Sequence, residues 1–103
     1  MVSKIIWSQP ARTDLHRIAR YLAEERPDFA ERYCLALIAS VESLAEFPLR
    51  GKQLAGQPSL HVRELVLPPY RVIYEISPEA KIVEILRVWD ARRGDPGFSP
   101  TQP

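Results

Sequence analysis

Cysteine is nearly missing from this chain. Cys34 stands alone, so no disulfide can close within the chain and no cysteine cluster can hold a metal. Histidine is almost as scarce. His16 and His61 are isolated, without cysteine or carboxylate neighbours at ligand spacing, and no metal site is expected from them. The four glycines, Gly51, Gly56, Gly94 and Gly97, fit neither a phosphate-binding loop nor a dinucleotide fingerprint. No cofactor is therefore expected. No stretch approaches the ~18 apolar residues of a spanning helix. The opening "MVSKIIWSQP" lacks the apolar run of a signal peptide. A cytoplasmic protein with no membrane contact is the expectation. An excess of one charge is missing too: 14 Lys and Arg face 13 Asp and Glu, for a net charge of +1. That balance gives no case for nucleic-acid binding from total charge.

What is present suits one small globular domain. At 103 residues there is no room for two. The domain is expected over 1–96, followed by a flexible tail at 97–103, "GFSPTQP", rich in small, polar and proline residues. Arginine outnumbers lysine 11 to 3. Its planar fork can grip phosphate or carboxylate, so the placement of each arginine matters more than the total.

The hydrophobic pattern changes period along the chain. "KIIWS" (Lys4 to Ser8) reads as a short opening strand. Ser8 before Pro10 suits a capped helix start. Leu15, Ile18, Ala19 and Leu22 then form a helical stripe. "ERPD" breaks this helix, and Pro27 opens a second one with a stripe of Ala30, Tyr33, Cys34, Leu37, Val41 and Leu44, expected to stop near "EFPLRG". So short a link predicts an antiparallel helical hairpin. Cys34 on that stripe reads as a small hydrophobe, not a nucleophile. After the loop the period falls to two. "LHVRELVL", "YRVIYEI" and "KIVEILRVW" predict a three-stranded antiparallel meander, with the first strand as a further sheet member. The fold class is α+β: N-terminal strand, helical hairpin, then meander.

The remaining candidates for function are arginines of the second half: Arg63, Arg71, Arg87, Arg92 and Arg93. They could bind phosphate. From His61 to Asp95, however, six positive residues are balanced by six negative ones, so cross-strand ion pairs on a solvated face are the competing reading. Arg87 and Trp89 alternate with Leu86 and Val88 and should share a face of the last strand. Convergence of Arg63, Arg71 and Arg87 depends on hairpin register, where one residue of slip reverses the answer.

Four motifs, "FPLRGK", "VREL", "YRVIYEI" and "ILRVWDARR", follow the helical hairpin in an order that resembles the RelE/ParE superfamily of type II toxin–antitoxin toxins, over residues 4 to 96. The resemblance implies a growth-inhibiting toxin neutralised by a cognate antitoxin protein that wraps it. It also divides the function. RelE-like members cleave ribosome-bound mRNA with basic residues and often a C-terminal tyrosine. ParE-like members inhibit DNA gyrase. For a ribonuclease, Arg71 and Arg93, or Arg92 with a one-residue slip of alignment, match phosphate-contacting positions, and Arg63 approximately matches a lysine position. The pattern departs elsewhere. Glu64 and Leu65 stand where such enzymes carry lysines, Asp90 stands where histidine is frequent, and no tyrosine follows Trp89. An aspartate with an ordinary pKa near ~4 is a poor proton donor at neutral pH. The resemblance is therefore closer to the ParE-like branch. A protein target, gyrase, is expected to be gripped by Arg87, Trp89, Arg92 and Arg93, with the ribosome and mRNA as the alternative.

Overall fold

The computed structural model describes residues 2–57 and 61–93, with Arg93 described by its backbone alone. The expected tail at 97–103 lies outside these residues, as do Leu60, where the second strand was expected to begin, and the side chain of Arg93.

Strand β1 (Lys4–Trp7) leads into helix α1 (Gln9–Glu25). Ser8 caps that helix: its hydroxyl oxygen accepts from the Ala11 amide at 3.1 Å, and Pro10 sits in the first turn. Arg26 alone separates α1 from α2 (Pro27–Glu42), because its non-helical backbone ends one helix and Pro27 begins the next. The second helix stops earlier than "EFPLRG" suggested. It gives way at Ser43 to two short 3-10 turns, Ser43–Ala45 and Pro48–Arg50. A two-residue strand, β2 (Lys52–Gln53), was not expected. Then come β3 (Val62–Leu67), β4 (Tyr70–Ser77), β5 (Ile82–Asp90) and a closing 3-10 turn at Ala91–Arg93.

The sheet order is β1-β5-β4-β3-β2. Strands β3, β4 and β5 form the expected antiparallel meander, while β1 joins in parallel alongside β5, with Lys4 opposite Ile82 and Trp7 opposite Ile85. Between β4 and β5 the register slips by one. Ile73 faces Arg87 but Tyr74 faces Ile85, so Leu86 is an extra, bulged residue. The bulge switches parity: Val83 and Ile85 before it, and Val88 after it, all reach the same core.

The helices cover one sheet face. Ile18, Leu22, Leu37, Val41 and Leu44 pack with Leu65, Val72, Tyr74, Val83 and Ile85. The other face carries a smaller cluster of Leu54, Val62, Ile73 and Leu86, with Trp89 packed against it. Leu86 therefore belongs to the same face as Trp89 and not to that of Val88. Simple alternation had separated Leu86 from Trp89, and the bulge is the reason it fails.

Candidate functional site

Strand β5 is longer than its neighbour β1. The β1 pairing ends at Ile85, and beyond that point α1 runs beside the free edge of β5. Buried edge groups need partners, and two side chains supply them. The Ser8 hydroxyl donates to the Leu86 carbonyl at 3.0 Å, and the Val88 amide donates to Asp14 Oδ2 at 2.9 Å. Asp14 also accepts both arms of Arg87, from Nε at 2.7 Å and from Nη2 at 2.9 Å. This carboxylate, 8% exposed, thus fastens helix to strand with three charge-assisted bonds. The same hydrogen bonding raises the Arg87 pKa above its ordinary value.

Fixed in this way, the Arg87 guanidinium lies 5.0 Å from the centre of the Trp89 ring. Beyond Trp89, the Asp90 carboxylate accepts from the Arg92 amide at 2.9 Å and from its guanidinium at 2.9 and 2.7 Å. This closes the final turn and raises the Arg92 pKa. The Arg92 side chain stays 71% exposed. Between α1 and the end of β5 these residues border an open groove of about 580 Å³, lined by Arg17, Tyr21, Tyr70, Arg87, Trp89 and Arg92 above Asp14 and Asp90. Burial pushes the Tyr70 hydroxyl pKa up.

Of the residues singled out from sequence, Arg87, Trp89 and Arg92 are thus brought together. Arg63 is on the opposite face, and Arg71, although the cross-strand partner of Trp89, does not line the groove. Arg63 lies opposite Tyr74 on the helix-covered face, and its Nη1 donates to the Gly51 carbonyl at 2.6 Å. Arg71 lies opposite Trp89 on the other face, 7% exposed, paired with Glu64 at 3.2 Å. Each of these four arginines already has a local acceptor. The groove therefore offers cationic and aromatic surface held in place by carboxylates, a chemistry suited to gripping a partner. His16 and His61 are both exposed and lie on separate elements. Among the described residues no group of three metal-ligating side chains comes together.

Sequence reasoning missed Asp14, Arg17 and Tyr21. A signal for Asp14 was present. It falls on the inward face of α1 between Ala11 and Ile18, both buried, and a carboxylate in an apolar stripe implies a hidden partner.

Comparison with known proteins gives a consistent picture. The model of the family described as ParE toxin of type II toxin-antitoxin system, parDE, matches residues 5–94. Toxin RelE2 of Caulobacter vibrioides is 33% identical over 93 residues, covering 89% of this chain and 99% of that protein. The chromosomal ParDE toxin–antitoxin system of P. aeruginosa contains a chain that superposes with a TM-score of 0.68 at 23% identity, over 86% of this chain and 96% of that one. A chain of the RelBE2 toxin–antitoxin complex from Mycobacterium tuberculosis superposes with a TM-score of 0.58 at 27% identity, over 87% and 99%.

Proposed function

The chain belongs to the ParE toxin family of type II toxin–antitoxin systems, and from that premise we propose that it arrests growth by binding a protein target, DNA gyrase, with no chemistry of its own. The observation that carries this reading is the groove. Arg87, Trp89 and Arg92 meet there, with Arg17 and Tyr21 beside them, while the ribonuclease candidates Arg63 and Arg71 face opposite sides of the sheet. Asp90 is held by Arg92 and stands where a nuclease would carry a proton donor. Arg93 extends the same chain end. A cytoplasmic location and a cognate antitoxin complete the proposal. Its partner is the product of the adjacent gene, and the sheet edges give that partner a place to add a strand.

Induced expression without the antitoxin tests the reading. DNA synthesis should stop before protein synthesis; the reverse order contradicts it. A RelE-like, ribosome-dependent endoribonuclease is the second reading, favoured by the likeness to a protein named toxin RelE2. It requires cuts within codons of translated mRNA, visible by primer extension, and their absence during toxic expression removes it.

A further inference from the structure

The near-neutral net charge conceals a segregated one. Between Gln9 and Ala23 the one acidic residue is Asp14, and it is buried against Arg87 and Val88. The outer face of α1 carries Arg12, His16, Arg17 and Arg20, all exposed, beside Gln9 and Thr13, with the acidic Glu24 and Glu25 confined to the last turn. Arg12 is steadied by neutral acceptors, the Trp7 carbonyl at 3.1 Å and the Gln9 side chain at 2.9 Å, which leave its charge uncompensated. Arg12, His16 and Arg20 recur every fourth residue, so they form a row along one side of the helix, which the exposed Glu24 ends. At 1.5 Å rise per residue successive members are about 6 Å apart and the row spans about 12 Å. Arg17 lies on the same shallow furrow and also on the edge of the groove described above.

A linear row of cations fits a linear polyanion. The composition of the row decides which kind. Interfaces with folded proteins are centred on buried apolar or aromatic anchors, and this strip contains none: its lining is Gln9, Arg12, Thr13, His16, Arg17 and Arg20. Arginine, glutamine and threonine side chains are donors of the kind that contact phosphate and sugar along a nucleic-acid backbone. We infer that the outer face of α1 is a docking strip for the phosphate backbone of nucleic acid, adjoining the groove that grips the protein target and sharing Arg17 with it. The inference does not depend on which target the toxin has, because both gyrase and the ribosome work on or within nucleic acid. Binding is independent of base sequence and driven by counterion release.

The test uses the full chain freed of antitoxin, with fluorescence anisotropy of a labelled DNA duplex and a labelled single-stranded RNA across a salt series from about 20 mM. No gyrase or ribosome is present, so the result is separable from the fate of the target assignment. Three phosphate contacts by Arg12, Arg17 and Arg20 predict a slope of log affinity against log salt of about −2.7 for duplex and about −2.1 for single strands, or a loss of about 40-fold in duplex affinity from 50 to 200 mM salt. The double variant Arg12→Gln/Arg20→Gln should flatten the duplex slope by about 1.8. The charge-preserving pair Arg12→Lys/Arg20→Lys should keep the wild-type slope, which separates loss of charge from loss of fold. Absence of binding to either probe at the lowest salt overturns the inference. So does unchanged binding by a folded glutamine pair. Displacement of both nucleic acids by polyglutamate at equal charge concentration would assign the strip to an acidic protein instead and overturn it as well.

Discussion

At the scale of single residues, Asp14 organises the site. It holds Arg87 through two bonds and the Val88 amide through a third. Removing it strands an amide and a half-buried guanidinium. Breaking a buried pair costs roughly 3–5 kcal/mol, and the 27% exposure of the Arg87 side chain places this one at about 3. Asp14→Ala should therefore lower unfolding free energy by about that amount in urea titration, whereas Asp14→Asn, which keeps an acceptor for the amide, should cost clearly less. Tyr33 is a second informative residue. It is buried between Phe29 and Tyr70, donates its hydroxyl to the Leu67 carbonyl at 2.6 Å, and has its pKa pushed up from 10.0 to about 12 by desolvation. The folded state thus resists ionisation that the unfolded chain accepts. Its contribution is complete below pH 10 and is lost as pH rises from there through about 12. The loss amounts to roughly 2–3 kcal/mol. Urea midpoints measured across this window should fall, and Tyr33→Phe should make the fall shallower. An equally steep fall in the variant would assign it to other groups; Tyr70 and Tyr74, also raised by burial, are the first of these.

At the scale of elements, the segment after α2 is tied to the sheet by two side chains, Arg63 through the Gly51 carbonyl and Tyr74 through two bonds. The Tyr74 hydroxyl donates to the Pro48 carbonyl at 2.7 Å and accepts from the Gly51 amide at 2.9 Å. A side chain at Gly51 would meet the Glu64 carbonyl oxygen at 2.5 Å and the Tyr74 oxygen at 2.6 Å. One of these is backbone and cannot swing aside. Gly51→Ala should cost about 1–3 kcal/mol in thermal or urea unfolding through this overpacking. An unchanged midpoint would mean that the segment is not anchored there. This contact accounts for the glycine of the "FPLRGK" motif.

The same scale shows what could be read in advance. The stripes holding Ile18, Leu22, Leu37 and Val41, and the alternation from Tyr70 to Ile76, depend on local spacing, so the helices and the meander were legible. Three features depend on non-local pairing and were not: the parallel placement of β1, the two-residue β2, and the bulge at Leu86. The bulge alone changes which side of β5 carries Leu86. In the candidate groove, Arg87, Trp89 and Arg92 were legible because they crowd one strand end. Arg17 and Tyr21 were not, since 73 residues separate Asp14 from the Arg87 that binds it and nothing local links α1 to that strand.

At the scale of the whole molecule, the fold sets out two adjoining surfaces, meeting at Arg17, that composition merges. The groove between α1 and β5 joins aromatic and cationic groups, and the outer face of α1 carries a row of cations. Among the described residues no helix is long and apolar enough to cross a membrane. The groove should carry target affinity. Trp89 packs on one side against Leu54, Val62, Ile73 and Leu86 and presents a partly exposed ring beneath Arg87. Arg92 extends into solvent beside it. Truncating an anchor of this kind removes at least ~1.4 kcal/mol of binding, a tenfold effect. The central claim, a protein-binding toxin acting through this groove, is tested most directly by the supercoiling activity of purified gyrase titrated with antitoxin-free toxin. The account predicts inhibition by the wild-type chain and about tenfold more toxin for equal inhibition by folded Trp89→Ala or Arg92→Ala. Supercoiling unaffected by excess wild-type toxin would contradict it.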